Sequence, residues 1–208
     1  MKNKEQTKRK LIRAVGEIIR KEGFANLKIS QVAKHAEVDR KLIYRYFGNL
    51  NRLVEAYVTE NDYWMIFADK VQDLIKKNQY GSIQLLITDV LKNQFKFFFS
   101  EKEMQNLILL ELTGANPLMK SIHNARESMG QTFLELTDPH FQGSRVNFRA
   151  VSALLVGGIY YTILHTVFNG GNFADLDINS EDARDELIRT IEQIIDWAFV
   201  EAGNSKID

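Results

Sequence analysis

The 208-residue chain has no cysteine and only two prolines. Without cysteine it cannot form disulfide bonds, cysteine-ligated zinc sites or a thiol nucleophile, and such a composition is typical of a reducing compartment such as the cytoplasm. Few prolines and little alternation of apolar and polar residues favour helices over strands. Because 45% of the residues are hydrophobic, the chain can bury a sizeable core. We therefore expect a folded, all-α, cytoplasmic protein.

Common catalytic signatures are missing as well. The sequence has no G-x-G-x-x-G motif, no P-loop and no G-x-S-x-G motif. His123 and Glu127 lie four apart on an expected helix, but no third ligand follows at metal-site spacing, and a surface pair explains them equally well. The basic start, MKNKEQTKRK, leads into no continuous apolar run, which predicts that it is not a signal peptide. We expect no enzyme activity, no metal and no cofactor.

The formal net charge is zero, yet the two signs are unevenly distributed. Residues 1–55 carry 14 lysines and arginines against 6 acidic residues, which gives +8. The rest of the chain carries 13 against 21, which gives −8. A basic first part on an acidic remainder predicts contact with a polyanion at one end. A solvated charged face is the simpler alternative.

Three helices are predicted within the basic part. In the first, from about Glu5 to Glu22, apolar residues recur at three- and four-residue spacing, and Gly23 is placed to cap its end. ISQVAKHA, residues 29–36, predicts a short second helix, and DRKLIYRYFGNL, residues 39–50, predicts a short third one. A helix followed by two short helices with a turn of three or four residues between them is the helix-turn-helix arrangement.

The third helix separates its residues by direction. Arg40 and Tyr44 lie four apart on one side, as do Lys41 and Arg45, while an apolar stripe that begins at Ile43 points elsewhere. One side can therefore pack while the other offers cations and phenol hydroxyls to a negative partner.

Six more helices are expected after residue 49, and the Pro-containing DPHFQG is expected to be a loop. The first of them starts in the basic part and ends in the acidic part, which makes it the expected connection between the two. Their approximate bounds are 50–78, 81–99, 101–113, 117–137, 144–169 and 180–203.

The first 60 residues resemble the TetR/AcrR family of bacterial transcriptional regulators. The match covers residues 7–58 and is carried by AVGEIIRKEGFANLKISQVAKHAEVDRKLIYRYFGNLNRLVEAYV. It implies an all-α fold of about nine helices, with a three-helix helix-turn-helix DNA-binding domain over residues 1–48 and a larger helical effector-binding and dimerisation domain over residues 49–208. It further implies a homodimeric, sequence-specific repressor that binds a double-stranded DNA operator and is released by an unidentified small-molecule effector.

The same resemblance assigns DNA contacts residue by residue. Arg40 and Lys41 would face base edges in the major groove, and Tyr44 would contact backbone phosphate. Tyr46 stands where the family commonly has histidine, and packing beneath the first helix is the alternative for both tyrosines. The other DNA-binding candidates are Lys28, Ser30, Arg45 and Asn49.

Three positions depart from the family pattern. Lys28 replaces a capping Ser or Thr, Glu37 replaces the usual turn glycine, and Leu50 replaces a lysine that contacts phosphate. If Glu37 needs a positive φ, the cost is on the order of 1 kcal/mol. These departures keep a second function open, a helix-turn-helix protein that has lost DNA affinity and serves as a protein-interaction or ligand-carrying module.

AVSALLVGGIYYTILHTVF, residues 150–168, is nearly long enough to span a bilayer. Its polar residues, its paired glycines and the lack of a basic cluster on one flank favour a helix covered by its own core and by a second subunit. We therefore expect no membrane partner but a dimer interface made by the last two helices of each subunit, as the resemblance implies. Its expected residues are Val151, Leu155, Gly158, Ile159, Ile191, Ile195 and Phe199.

The resemblance also implies a small-molecule pocket in the middle of the chain. Polar groups on apolar helices are stronger candidates than aromatic residues, because burial without a partner is costly. Ordinary core packing is the alternative for every candidate. The candidates are Trp64, Phe95, Phe98, Phe99, Glu111, Tyr160, Tyr161 and His165.

Overall fold

The structure, a computed structural model, describes residues 2–24, 27–67, 81–113 and 117–205. Within these ranges the regular structure is helical, apart from one isolated β-bridge between Phe173 and Leu176. The predicted all-α class is confirmed. The helices are α1 (Lys2–Glu22), α2 (Ile29–His35), α3 (Lys41–Phe47), α4 (Leu50–Asn61), α5 (Ile83–Ser100), α6 (Lys102–Thr113), α7 (Pro117–Phe141), α8 (Phe148–Asn169) and α9 (Glu181–Asn204).

The predicted long helix over residues 50–78 is wrong, because α4 already ends at Asn61. Asp62 leaves the helical conformation, with φ −74° and ψ 136°, and its carboxylate accepts the backbone N–H of Trp64 at 3.0 Å. A new helical segment, residues 63–67, follows this break. The rest of the predicted helix, residues 68–78, lies outside the described residues.

The predicted loop DPHFQG is helical in its first part, because α7 runs past residue 137 to Phe141 and includes Pro139. Proline removes one backbone donor from the last turn. The Phe141 ring is buried there, with centroids 4.4 Å from Phe148 and 4.8 Å from Phe199. Burial of this ring stabilises the last turn.

Met1–Ile66 and Glu101–Arg126 form one compact unit. Within it, α1 contacts α2, α4 and α6. Gly23 follows α1 with φ 77° and donates its N–H to the Ile19 carbonyl at 3.1 Å, as expected of a cap. The five apolar residues predicted for the inner face of α1 are all buried: Leu11, Ala14, Val15, Ile18 and Ile19. Ile12 and Gly16 are buried as well. This compact unit also includes α4 and α6, so it extends beyond the predicted DNA-binding domain, residues 1–48. The end of the DNA-binding domain at residue 48 stays a prediction.

Phe67–Ser100 and Glu127–Asp208 form a second compact unit. In it, α5 packs against α8 and α9. Two polar contacts join α5 to α9: Gln84 to Asp196 and Lys92 to Glu192, each at 2.9 Å. Large side chains that this unit buries fully include Leu86, Ile163, Ile178 and Ile195.

Candidate nucleic-acid interface

The short helix α3 is held by one fully buried side chain and by contacts at its ends. Ile43 is 0% exposed, and the α2 residues Val32 and Ala33 are buried as well. At the start of α3, the Asp39 carboxylate accepts the backbone N–H of Lys41 at 2.8 Å. Because Ile43 fixes the inner side, the residues on the opposite side of α3 are turned toward solvent.

Three cations of the α3 segment are exposed: Arg40, Lys41 and Arg45. None of the acidic residues in the described ranges forms an ion pair with them, whereas the guanidinium of Arg13 on α1 lies 3.2 Å from Glu17. Unpaired guanidinium and ammonium groups are free to donate hydrogen bonds to phosphate oxygens or to guanine O6 and N7.

The two tyrosines of α3 have different surroundings. Tyr44 is 54% exposed, so its hydroxyl is accessible to a partner. Tyr46 is half-buried, and the ammonium of Lys4 lies 5.8 Å from its ring centroid, within cation–π range. The sequence analysis did not single out Lys4, since no local pattern shows that the first turn of α1 lies beside α3. This contact places one more positive charge beside α3.

The other DNA-binding candidates lie at helix ends. Lys28 is the N-cap of α2, and its side chain makes no capping hydrogen bond. Ser30 is exposed in the first turn of that helix. Asn49 caps α4, because its Oδ1 accepts the backbone N–H of Arg52 at 2.9 Å. The side-chain oxygen of Asn49 therefore already has a structural role.

The turn between α2 and α3 contains a residue in the left-handed region. Glu37 has φ 55°, the positive φ that strains the backbone of a residue with a Cβ. Its N–H donates to the Lys34 carbonyl at 3.2 Å, and the N–H of Val38 donates to the Ala33 carbonyl at 3.0 Å. These two bonds form a Schellman motif, whose left-handed position glycine usually occupies.

A cleft beside this turn is lined by residues of α1 and of the α2–α3 segment, among them Lys10, Arg13, Glu17, His35 and Glu37. His35 Nε2 lies 2.5 Å from Glu17 Oε2. This hydrogen bond lowers the pKa of Glu17, and the charge of Arg13 lowers it further. The carboxylate is thus kept ionised and ties α1 to the end of α2.

Residues 11–57, which include most of α1 and all of α2 and α3, match the family model described as bacterial regulatory proteins, tetR family. Residues 11–57 are therefore a TetR-family domain. No curated protein matches the sequence.

Solved structures extend the similarity in fold over nearly the whole chain. FadR from Bacillus halodurans is 18% identical, with 91% of this chain and 94% of that one covered and a TM-score of 0.67. FadR from Bacillus subtilis in complex with stearoyl-CoA is also 18% identical, with coverages of 96% and 99% and a TM-score of 0.67. A TetR-family transcription regulator from Marinobacter aquaeolei VT8 is 15% identical, with coverages of 93% and 98% and a TM-score of 0.63.

The family model and the solved structures similar in fold are those of transcriptional regulators. Within the described ranges, no group of three His, Cys, Asp or Glu residues is placed to hold a metal ion. His123, considered above with Glu127, instead lies 3.1 Å from Glu111.

Glu111, an effector-pocket candidate, has partners within the first unit of the chain. Arg126 donates to its Oε2, and His123 Nδ1 lies 3.1 Å from its Oε1. Arg126 is buried and also donates from Nε and Nη2 to Asp62, at 2.8 and 2.6 Å. The argument for Glu111 was that a buried polar group needs a ligand, and this network removes that reason. Trp64, half-buried, lies two residues beyond Asp62.

The remaining pocket candidates lie in the second unit. Phe95 and Phe98 are buried and Phe99 is half-buried. The Phe98 ring makes an edge contact with Tyr160 of α8 at 4.6 Å, and the guanidinium of Arg184 lies 4.9 Å from the Phe99 ring centroid. These contacts are consistent with core packing as well as with a pocket wall.

Tyr161 and His165 form a cluster with a residue from the α8–α9 loop. The Phe173 ring lies 5.0 Å from Tyr161 and 5.2 Å from His165. Tyr161 is 56% exposed, so it lies at the surface of one chain rather than in its interior. The buried Nδ1 of His165 has no hydrogen-bond partner.

Most of the predicted dimer-interface residues lie inside the chain. Val151 is half-buried, and only Gly158 is exposed. The five buried residues can support an interface from beneath but cannot form its surface; they are Leu155, Ile159, Ile191, Ile195 and Phe199. A helix that is apolar all round does not show in its sequence which side is covered by its own chain. The large apolar side chains exposed on α8 and α9 are Leu154, Tyr161, Val167, Phe168, Trp197 and Val200.

Among the described helices, α8 alone is long and apolar enough to cross a membrane. Length and composition are weak evidence, and a helix buried on two sides passes the same test.

Proposed function

We propose that this TetR-family regulator binds its operator as a homodimer, with α3 of each subunit in the major groove. The observation that carries the proposal is the set of unpaired, exposed cations on a helix whose opposite side is anchored by Ile43. Arg40 and Lys41 would read base edges, while Tyr44, Arg45, Tyr46 and the helix-end residues Lys28, Ser30 and Asn49 would position the helix on phosphates. In such dimers the half-sites lie one helical turn apart, about 34–36 Å.

The direct test starts from a duplex selected out of a random DNA pool by the purified protein. Replacing Arg40 and Lys41 with alanine is expected to weaken binding by about tenfold or more per residue and to relax base preference. The control variant, Lys120→Ala with Arg145→Ala, makes the same change in net charge at two exposed cations elsewhere. The control should bind like the unmodified protein; equal affinity and preference in the α3 variant would contradict the assignment.

A salt series separates this proposal from the alternative of a helix-turn-helix that has lost DNA affinity. Phosphate contacts release counterions, so the logarithm of the binding constant should fall steeply and linearly with the logarithm of the salt concentration. If no duplex is bound even at low salt, the protein-interaction or ligand-carrying function becomes the better account.

The dimer would be formed by the exposed apolar side chains of α8 and α9, which pack together in the second unit. Leu154 is 78% exposed and Trp197 60% exposed, more than a lone subunit needs to leave in water. Next to Leu154, the Cβ positions of Gly157 and Gly158 meet no atom of the same chain within 4 Å. A second subunit can therefore approach the backbone of α8 closely there.

We further propose that the regulator is a repressor and that a small molecule bound in the second unit releases it from DNA. Such a molecule can act only by binding the released conformer better than the DNA-bound one. A FadR structure similar in fold holds stearoyl-CoA, so long-chain acyl compounds are the first class to test. Release of the selected duplex by an added compound, measured by fluorescence anisotropy, would support the proposal; tighter binding in the presence of the compound would contradict repression by effector release.

A further inference from the structure

The two units of the chain differ in whether their buried polar groups have partners. In the first unit the buried charges are paired: Asp62 with Arg126, and Glu103 with Arg20. In the second unit, Gln94 is 1% exposed, and neither its amide oxygen nor its amide nitrogen has a hydrogen-bond partner. A buried amide without partners is strongly destabilising, and each such group in a native protein requires an explanation.

Gln94 lies on the side of α5 that meets α8. It is four residues before Phe98, so the two share one stripe of α5, and the Phe98 ring touches Tyr160 of α8 at 4.6 Å. The helix α8 itself carries two further buried atoms without a partner, His165 Nδ1 and Thr166 Oγ1. In the described part of the chain, every side-chain atom of this kind therefore belongs to the second unit, on two helices that pack against each other.

The chemistry of these groups limits what they can bind. The described polar side chains that the second unit buries are all uncharged: Thr88, Gln94, Thr137, Thr162 and Thr166. The described half-buried cations of this unit are engaged elsewhere, Lys92 with Glu192 and Arg184 with the Ile178 and Asn179 carbonyls. An ionised carboxylate placed among the uncharged groups would therefore lose its hydration without gaining a free cation, which is unfavourable. An amide such as Gln94 both donates and accepts, so it suits a neutral amide, hydroxyl or carbonyl group.

We infer that Gln94 is the polar anchor of a ligand site in the second unit and that it selects an uncharged hydrogen-bonding group on an otherwise apolar molecule. The inference rests on the proposed effector function and names the chemical class of the effector. If a ligand also has an ionised head group, that group binds outside the part of the site that contains Gln94. Because the described residues offer this amide no hydrogen-bond partner, its burial is expected to lower the stability of the free protein.

Two variants of the full-length protein test the unpaired amide. Gln94→Met keeps the length of the side chain and removes the polar atoms, so the Tm of the ligand-free protein is expected to rise by about 3 °C or more. The matched control is Gln105→Met in α6, because Gln105 is also buried but does have a partner, and its loss should lower Tm. A Tm of Gln94→Met that falls as far as that of Gln105→Met would overturn the inference.

Calorimetric titration with three probes of equal chain length tests the selectivity: decanamide, 1-decanol and, at pH 8, decanoate. The unmodified protein should bind the two neutral probes more tightly than decanoate, and Gln94→Met should lose at least about tenfold in affinity for the neutral probes while its affinity for decanoate changes little. Absence of binding, equal affinity for all three probes, or an unchanged preference in Gln94→Met would each overturn the inference.

A DNA-release assay with the same probes distinguishes this inference from the proposed function. If the neutral probes bind through Gln94 yet leave the affinity for the selected duplex unchanged, the Gln94 site stands and the effector role fails. If a probe releases the duplex equally from the unmodified protein and from Gln94→Met, the effector role stands and the Gln94 site fails.

Discussion

Glu37 holds a backbone conformation that costs a residue with a Cβ on the order of 1 kcal/mol and costs glycine almost nothing. Glu37→Gly is therefore expected to raise the free energy of unfolding by about 1 kcal/mol. It also removes a carboxylate close to the proposed DNA-binding surface, so affinity for the selected duplex should rise. Urea unfolding and anisotropy titration measure the two effects.

Glu37→Ala separates the two consequences of that change. Alanine removes the carboxylate but keeps the strained φ, so it should strengthen DNA binding without the gain in stability. Equal stability of the glycine and alanine variants would mean that the left-handed conformation at this position is not strained.

At the same scale, the sequence shows which residues are polar but not which of them meet. The inner face of α1 was predictable because 3.6-residue periodicity alone selects Leu11, Ala14, Val15, Ile18 and Ile19. The partners of Glu111 were not, since Arg126, which donates to Glu111, lies 64 positions from its other acceptor, Asp62. Gln94 was missed for a related reason: whether a buried amide lacks a partner depends on every neighbouring helix, and its sequence position shows only that it lies among apolar residues.

At the scale of helices, Gly16 sets how closely α1 and α4 approach. A Cβ at Gly16 would lie 2.6 Å from the Tyr57 ring, and Tyr57 is buried. That burial raises the pKa of the Tyr57 hydroxyl, with the Glu103 carboxylate as the second cause. Gly16→Ala is therefore expected to lower the free energy of unfolding by about 1–3 kcal/mol through overpacking.

Gly130→Ala in α7 is the matched control, because a Cβ there meets no atom within 4 Å. Alanine has the higher helix propensity, so this variant should gain up to about 1 kcal/mol. Chemical denaturation of both variants gives the comparison. If Gly16→Ala were as stable as Gly130→Ala, the close contact between α1 and Tyr57 would not exist in solution.

Helix existence was easier to predict than helix ends. Pro117 begins α7, as its place after GANP predicted, and Ser180 caps α9 by accepting the N–H of Ala183 at 3.2 Å. The breaks that the sequence did not show depend on tertiary contacts. Asp62 ends α4 while it binds Arg126, and α7 continues through Pro139 because Phe141 is buried beyond it.

At the scale of the whole molecule, the proposed dimer would bring two basic segments to one DNA duplex. Each subunit has a net charge of +8 in residues 1–55. A dimer presents two such segments, which doubles the number of cations that one duplex can contact. The second subunit therefore matters more for affinity than any single phosphate contact. An operator bound by one subunit alone would keep the base contacts of one half-site and lose the simultaneous engagement of both.

Gly158→Glu tests this dependence, since it places a charge on the exposed side of α8 beside Leu154. A carboxylate buried between two apolar surfaces without a cation is costly, so the variant should sediment as a monomer and keep its helical circular dichroism. Its affinity for the full operator should fall by about 100-fold or more. Gly130→Glu, with the same charge at another open helix position, should remain dimeric and bind normally. If Gly158→Glu stayed dimeric, the subunits would meet through a different surface; if it became monomeric and still bound the operator fully, pairing would not be the source of affinity.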